Sequence, residues 1–320
     1  MNQVTQTTPA HVRLRAAVGG VVATFSLFAA SLVVPLAGFI SGVLAPFPVA
    51  HTRIIHGRGA ACIAFAGGLT AITGLFGVNA GIVYLLQCGT IALLMPELIL
   101  RGQGPSRTIL WTTASSLGLV SCALAVYVAT GGHDLHRAAA NEINASITQA
   151  VSLYEKSGVT GDDLAALKKT MGQISVLFLR IYPALATLII AMVASVNLLL
   201  VQRFTLTRTE PPREIPALSS FRLKDALIWV LIASGFAMLA SSPLVTTPAL
   251  NILILVCSLY FIQGLAVVLT ITARQTFGGF FRIFFWMMLV FQPYLAALVA
   301  AIGIFDLWAD FRTPKTQENL

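Results

Sequence analysis

The stretch ISVLFLRIYPALATLIIAMVASVNLLLV, residues 174–201, carries a single charge, Arg180, in 28 residues. A helix needs roughly 20 apolar residues to cross about 30 Å of hydrocarbon, so this run is long enough to span with some tilt. Its apolar character is continuous, without the alternation of a barrel strand, and a helix satisfies its own backbone groups where no water can. The stretch is therefore a membrane helix.

Working outward, further apolar runs cover about 16–35, 36–50, 59–77, 79–100, 108–130, 225–243, 248–272 and 281–304. The sequence thus predicts an all-α polytopic bundle of about nine membrane segments, or eight if residues 16–50 form one pass or a re-entrant hairpin. Pro35 and the Gly38/Gly42 pair mark the break that divides 16–50. Composition agrees: 57% of residues are hydrophobic and 10% charged, against about 25% charged in a soluble domain.

The net charge of +8 does not point to nucleic acid, because the basic residues fall in short loops. Arg13 and Arg15, Arg53 and Arg58, Arg101 and Arg107, Arg203 to Lys224, and Arg274 and Arg282 share one side under the nine-segment count. The positive-inside rule makes that side cytoplasmic. Residues 1–15 become a cytoplasmic tail, 202–224 a basic linker with Pro211, Pro212 and Pro216, and 305–320 a tail on the opposite side. The expected location is the bacterial cytoplasmic membrane, with the lipid bilayer as the immediate partner.

One polar segment, 131–173, interrupts the pattern. Leu135, Ala139, Ile143, Ile147, Val151 and Tyr154 recur at helical spacing. Thr160 and Asp163 then have the spacing of a capping box, and Leu164, Leu167, Met171 and Ile174 form a second stripe. This predicts an external helical hairpin broken at 157–161, either a lid resting on the membrane or an element that gates or docks.

Ionisable and amide groups inside membrane segments are the candidates for function, because burying them in lipid is costly. Arg180, with Tyr182 and Pro183 beside it, either snorkels to the interface or lines a polar cavity. Glu97 either pairs with Arg101 near a helix end or forms a proton or cation site. Asn79, Gln87, Asn197, Asn251, Gln263 and Gln292 either glue helices together or meet a polar ligand. The ligand-binding candidates are Arg180, Tyr182, Asn79, Gln87 and Glu97. His133 and His136 beside Asp134 make only a weak metal motif, and Cys62, Cys88, Cys122 and Cys257 lack ligand spacing and read as packing residues. Gly19, Gly20, Ala23, Gly67, Gly68 and Gly74 permit close helix approach. Phosphate loops, zinc-protease motifs and nucleophile elbows do not occur, so no catalytic residue, metal or cofactor is expected.

Pro35-Leu-Ala-Gly38 with Ala45-Pro-Phe-Pro48, the Arg58-Gly59 helix entry, and the ending Gly303-Ile-Phe-Asp306-Leu-Trp308-Ala-Asp310-Phe311-Arg312 resemble the YybS-like bacterial membrane proteins of unknown function. At fold level that family is similar to the substrate-binding subunits of energy-coupling-factor transporters. The resemblance implies capture of a small solute together with an ATPase module, although three extra C-terminal segments depart from a six-helix subunit. Two roles follow as expectations: transport-related solute binding, or a scaffold that docks other membrane proteins.

Overall fold

The computed structural model describes residues 10–131, 135–158, 160–208, 221–274 and 279–312. Among the described residues the twelve longer elements are all α-helices: α1 Ala10–Val33, α2 Pro35–Leu44, α3 Phe47–His56, α4 Arg58–Phe76, α5 Val78–Leu100, α6 Pro105–Gly131, α7 Leu135–Lys156, α8 Asp162–Phe204, α9 Leu227–Ala237, α10 Pro243–Arg274, α11 Gly279–Phe291 and α12 Pro293–Ala309. Among the described residues, seven helical stretches are long and apolar enough to cross a membrane, and α9 and α12 are shorter apolar helices. The chain is an all-α polytopic membrane bundle.

Two compact units divide the chain. The first comprises Met1–Ala138 and Ala186–Ile215, the second Ala139–Leu185 and Pro216–Leu320. In the first, residues 16–50 fall into two helical stretches, Ala10–Val33 and Gly38–His56, each long and apolar enough to cross a membrane. Val34 adopts an extended φ of −111°, Pro35 opens α2 at a position where its missing N–H costs nothing, and α2 packs back on α1. The return pass joins α2 and α3 and spans Gly38–His56, ending later than position 50 because Pro46 and Pro48 sit at the joint, where Ala45 and Pro46 keep near-helical geometry. Gly57 and Gly77, with φ of +90° and +89°, make the next two reversals in a backbone region that only glycine enters freely.

The core of this unit surrounds Tyr84, which is fully buried. Its ring meets Phe28 edge-on at 5.1 Å and stacks on Phe65 at 5.2 Å. Its hydroxyl shares a hydrogen bond of 3.1 Å with Thr24, which donates to the Ala45 carbonyl at 2.8 Å and so ties α1 to the α2–α3 joint. Gly20, Gly67 and Gly68 lie where α1 meets α4, so these small residues serve packing within the bundle, while Gly19 and Gly74 meet no neighbouring atoms.

In the second unit the polar segment forms the two expected helical halves. α7 ends at Lys156 and α8 begins at Asp162, with Gly158 at φ +90° and Gly161 at φ +67° between them. Lys168 bridges to Glu155 at 3.0 Å across the bend, and Val151 is buried. The membrane helix expected at 174–201 is the later part of α8, which is continuous over 43 residues with Pro183 inside it.

Two expectations for the C-terminal region are corrected. The segment 225–243 is only an 11-residue helix, α9, which rises about 16 Å, half the hydrocarbon thickness. The run 281–304 divides at Gln292, whose φ of −115° and ψ of 96° match the break at Val34, again with proline opening the next helix. Arg312 donates from Nη1 to the Phe221 carbonyl at 2.6 Å, so the turn after α12 lies at the same end of this unit as the start of residues 221–226.

Candidate functional site

Five sequence candidates are distributed over separate environments. Asn79 is exposed in the first turn of α5, whereas Glu97 lies in its last turn, at the other end of the helix. Gln87, half-buried, donates from Nε2 to the Gly42 carbonyl at 3.1 Å and fastens α5 to α2. Glu97 Oε1 accepts from Arg53 Nε at 2.9 Å and Nη2 at 2.8 Å, and Arg58 Nε lies 3.3 Å away. Both Arg53 nitrogens converge on this one oxygen, a charge-assisted contact that ties α3 to α5. The partner expected from spacing, Arg101, is not the one the fold supplies. Asn197 follows the same pattern, donating to the Val43 carbonyl at 2.8 Å.

In the second unit, Arg180 is half-buried and donates from Nη2 to Thr246 Oγ1 at 3.0 Å. Beside it stands Pro183, whose missing N–H deprives the Leu179 carbonyl of its helical donor. Asn251 of α10 enters at this point. Its Nδ2 donates to the Arg180 carbonyl at 2.7 Å and its Oδ1 accepts from the Ala184 N–H at 2.8 Å. Those two backbone groups are each other's partners in an unperturbed helix, and the carboxamide stands in for a peptide group between them. Tyr182 is 51% exposed.

A second polar cluster closes the other end of this unit. Asp306, fully buried, pairs through Oδ2 with Arg312 Nη2 at 3.0 Å and accepts from Gln263 Nε2 at 3.3 Å. Gln263 also donates to the Gly303 carbonyl and accepts from the Leu223 N–H. Asp310, at φ 38°, turns the chain back so that Arg312 can reach Asp306. The terminal run singled out in the sequence is thereby explained as a structural clasp. It contains a charge pair that spacing alone did not reveal; the signal was the acid–x5–arginine interval straddling a helix end.

Between α9 and α10 of the same unit lies an open groove of about 360 Å³, lined by Val230, Ala233, Ser234, Leu244, Pro248 and Ile252 among others. Its wall is almost wholly apolar. Among the described residues no group of histidine, cysteine or acidic side chains is placed to hold a metal. His133 and Asp134 lie outside the described residues, as do Pro211, Pro212 and Pro216.

Comparison with protein families matches residues 22–307 to the family described as Predicted membrane protein (DUF2232), and the chain belongs to that family. Neither the curated proteins nor the solved structures yield a match.

Proposed function

We propose that this member of the DUF2232 family is a non-catalytic scaffold of the bacterial cytoplasmic membrane, with its basic loops inside, that docks a helix of another membrane protein. One observation carries the reading. The membrane-embedded amides and acids Gln87, Glu97, Asn197, Asn251 and Gln263 bond to neighbouring helices of their own unit, while the groove between α9 and α10 presents an apolar wall. A small polar solute has little to bond there, whereas an apolar helix packs against such a wall by contact alone.

The test is purification from native membranes of the wild type and of Ala233→Trp and Ala249→Trp, which fill the groove. A defined membrane protein recovered with the wild type and lost from both folded variants supports docking. Equal recovery from all three, or recovery of a defined solute in place of a protein, overturns it.

A transport-related role, with a small solute and an ATPase module as partner, is the second reading. It draws on the resemblance to YybS-like proteins and to energy-coupling-factor subunits, and on one local observation. Arg180 carries a full charge in a membrane helix, and its only bonded side-chain partner among the described residues is an uncharged hydroxyl.

A further inference from the structure

We infer that Arg180 and Thr246 form a binding site for a phosphate oxyanion at the level of the lipid headgroups. The argument begins with an imbalance of charge. A guanidinium is always ionised, offers five donors, and is expensive to hold near hydrocarbon without a counter-charge. The described acidic side chains of this unit are committed or distant. Glu155 pairs with Lys168, Asp306 with Arg312, and Asp310 with Arg222. Asp162 and Asp163 begin α8, about 25 Å along the helix from Arg180. Asp225 precedes α9, at the end of the unit occupied by the Arg312 clasp.

The surroundings sharpen the imbalance. Thr246 belongs to the first turn of α10, where the helix dipole is positive, so the fold sets a cation beside a positive helix end. An anion beside the pair, within reach of both side chains, would relieve both. Arg180 spends one donor on Thr246, leaving the rest of its planar fork for two oxygens of one ligand. Thr246, accepting from Arg180, keeps its own hydroxyl hydrogen to donate. Asn251 bonds the backbone that carries Arg180, and the bond to Thr246 orients its fork.

Depth selects the oxyanion. α10 has 32 residues and rises about 48 Å, slightly more than the roughly 40–45 Å of a bilayer with its headgroups. With α10 centred in the bilayer, its first turn stands where phosphodiesters lie. The ligand is either the headgroup phosphate of an anionic lipid or a soluble phosphate drawn from outside, and the chemistry of recognition is the same.

This inference deepens the second reading and is independent of helix docking. The experiment uses the full chain in phosphatidylcholine nanodiscs, with and without phosphatidylglycerol, and compares wild type, Arg180→Gln and Thr246→Val. Inorganic phosphate is titrated in the lipid-neutral discs, and retained phosphatidylglycerol is measured by mass spectrometry after purification from mixed discs. Either phosphate binding or selective phosphatidylglycerol retention by the wild type, weakened about tenfold in both variants, is the expected result. Undiminished binding in both variants, or no binding of either probe, overturns it. Thr246→Val loses one hydroxyl and carries the test should Arg180→Gln not fold. Loss of phosphatidylglycerol alone upholds the site and ends the solute reading. A defined solute that stays bound to Arg180→Gln does the reverse.

Discussion

Arg312 folds back past the end of its own helix to meet Asp306, with Nη2 and Oδ2 3.0 Å apart and Asp306 fully enclosed. The same guanidinium holds the Phe221 and Gln263 carbonyls, so one side chain gathers α12, α10 and the residues that lead into α9.

Removing either partner strands the other. Arg312→Met leaves a buried carboxylate without its cation, a loss of about 3–5 kcal/mol in stability. Asp306→Leu leaves the arginine and the Gln263 amide short of an acceptor, with a similar penalty. The double variant is expected to regain part of the loss, because no uncompensated charge remains. Denaturant unfolding in detergent checks this, and a double variant as unstable as the sum of the singles would refute the buried-pair account.

Gly264 and Gly303 bring α10 and α12 into backbone contact. A Cβ on Gly264 would overlap the Val299 carbonyl oxygen, and one on Gly303 would overlap that of Tyr260. Neither backbone can yield as a side-chain tip would, so Gly264→Ala and Gly303→Ala are each expected to cost about 3 kcal/mol or more. Gly19→Ala meets nothing within 4 Å and should be neutral or gain up to about 1 kcal/mol from helix propensity. Equal melting temperatures for Gly303→Ala and Gly19→Ala would disprove the close crossing.

The all-α bundle was legible because hydrocarbon allows few alternatives: 20-residue apolar runs must be helices. The two-way split of 16–50 was legible for a local reason, proline after an apolar run. The equivalent break at Gln292-Pro293 carries the same signal, yet the surrounding run 281–304 has an ordinary single-pass length, and length prevailed over proline. Glu97 illustrates the limit at a site. Arg101 is its neighbour at i, i+4, but Arg53, 44 positions earlier, holds it. Periodicity reports which residues share a helix face; it carries no information about which distant helix supplies a partner.

Side of the membrane offers a direct check on the joining of Arg312 to Phe221. Because Arg312 binds Phe221, a reporter fused after Arg312 should face the same side as one inserted before Phe221, the side that the positive-inside rule makes cytoplasmic. A green fluorescent protein fusion is expected to fluoresce, and an alkaline phosphatase fusion at the same point to be silent. Ser157→Cys, in the exposed bend between α7 and α8, should react with an impermeant maleimide from outside. An active phosphatase after Arg312 would put the tail on the opposite side.

Asn251 and Pro183 should be coupled. In the wild type the Asn251 carboxamide serves the Arg180 carbonyl and the Ala184 N–H beside a residue that cannot donate to Leu179. Asn251→Ala leaves two polar backbone groups short of partners in a stretch where proline resists regular geometry, an expected loss of about 1–3 kcal/mol. In a Pro183→Ala background the helix is free to regularise, and Ala184 can bond Arg180 directly, so Asn251→Ala should cost less there. A double-mutant cycle on unfolding free energies isolates the difference. Coupling of about 1 kcal/mol or more, in the direction of reduced cost, identifies Asn251 as the surrogate peptide. Strict additivity would mean that the carboxamide acts only as glue between α8 and α10, and that the helix at Pro183 needs no outside partner.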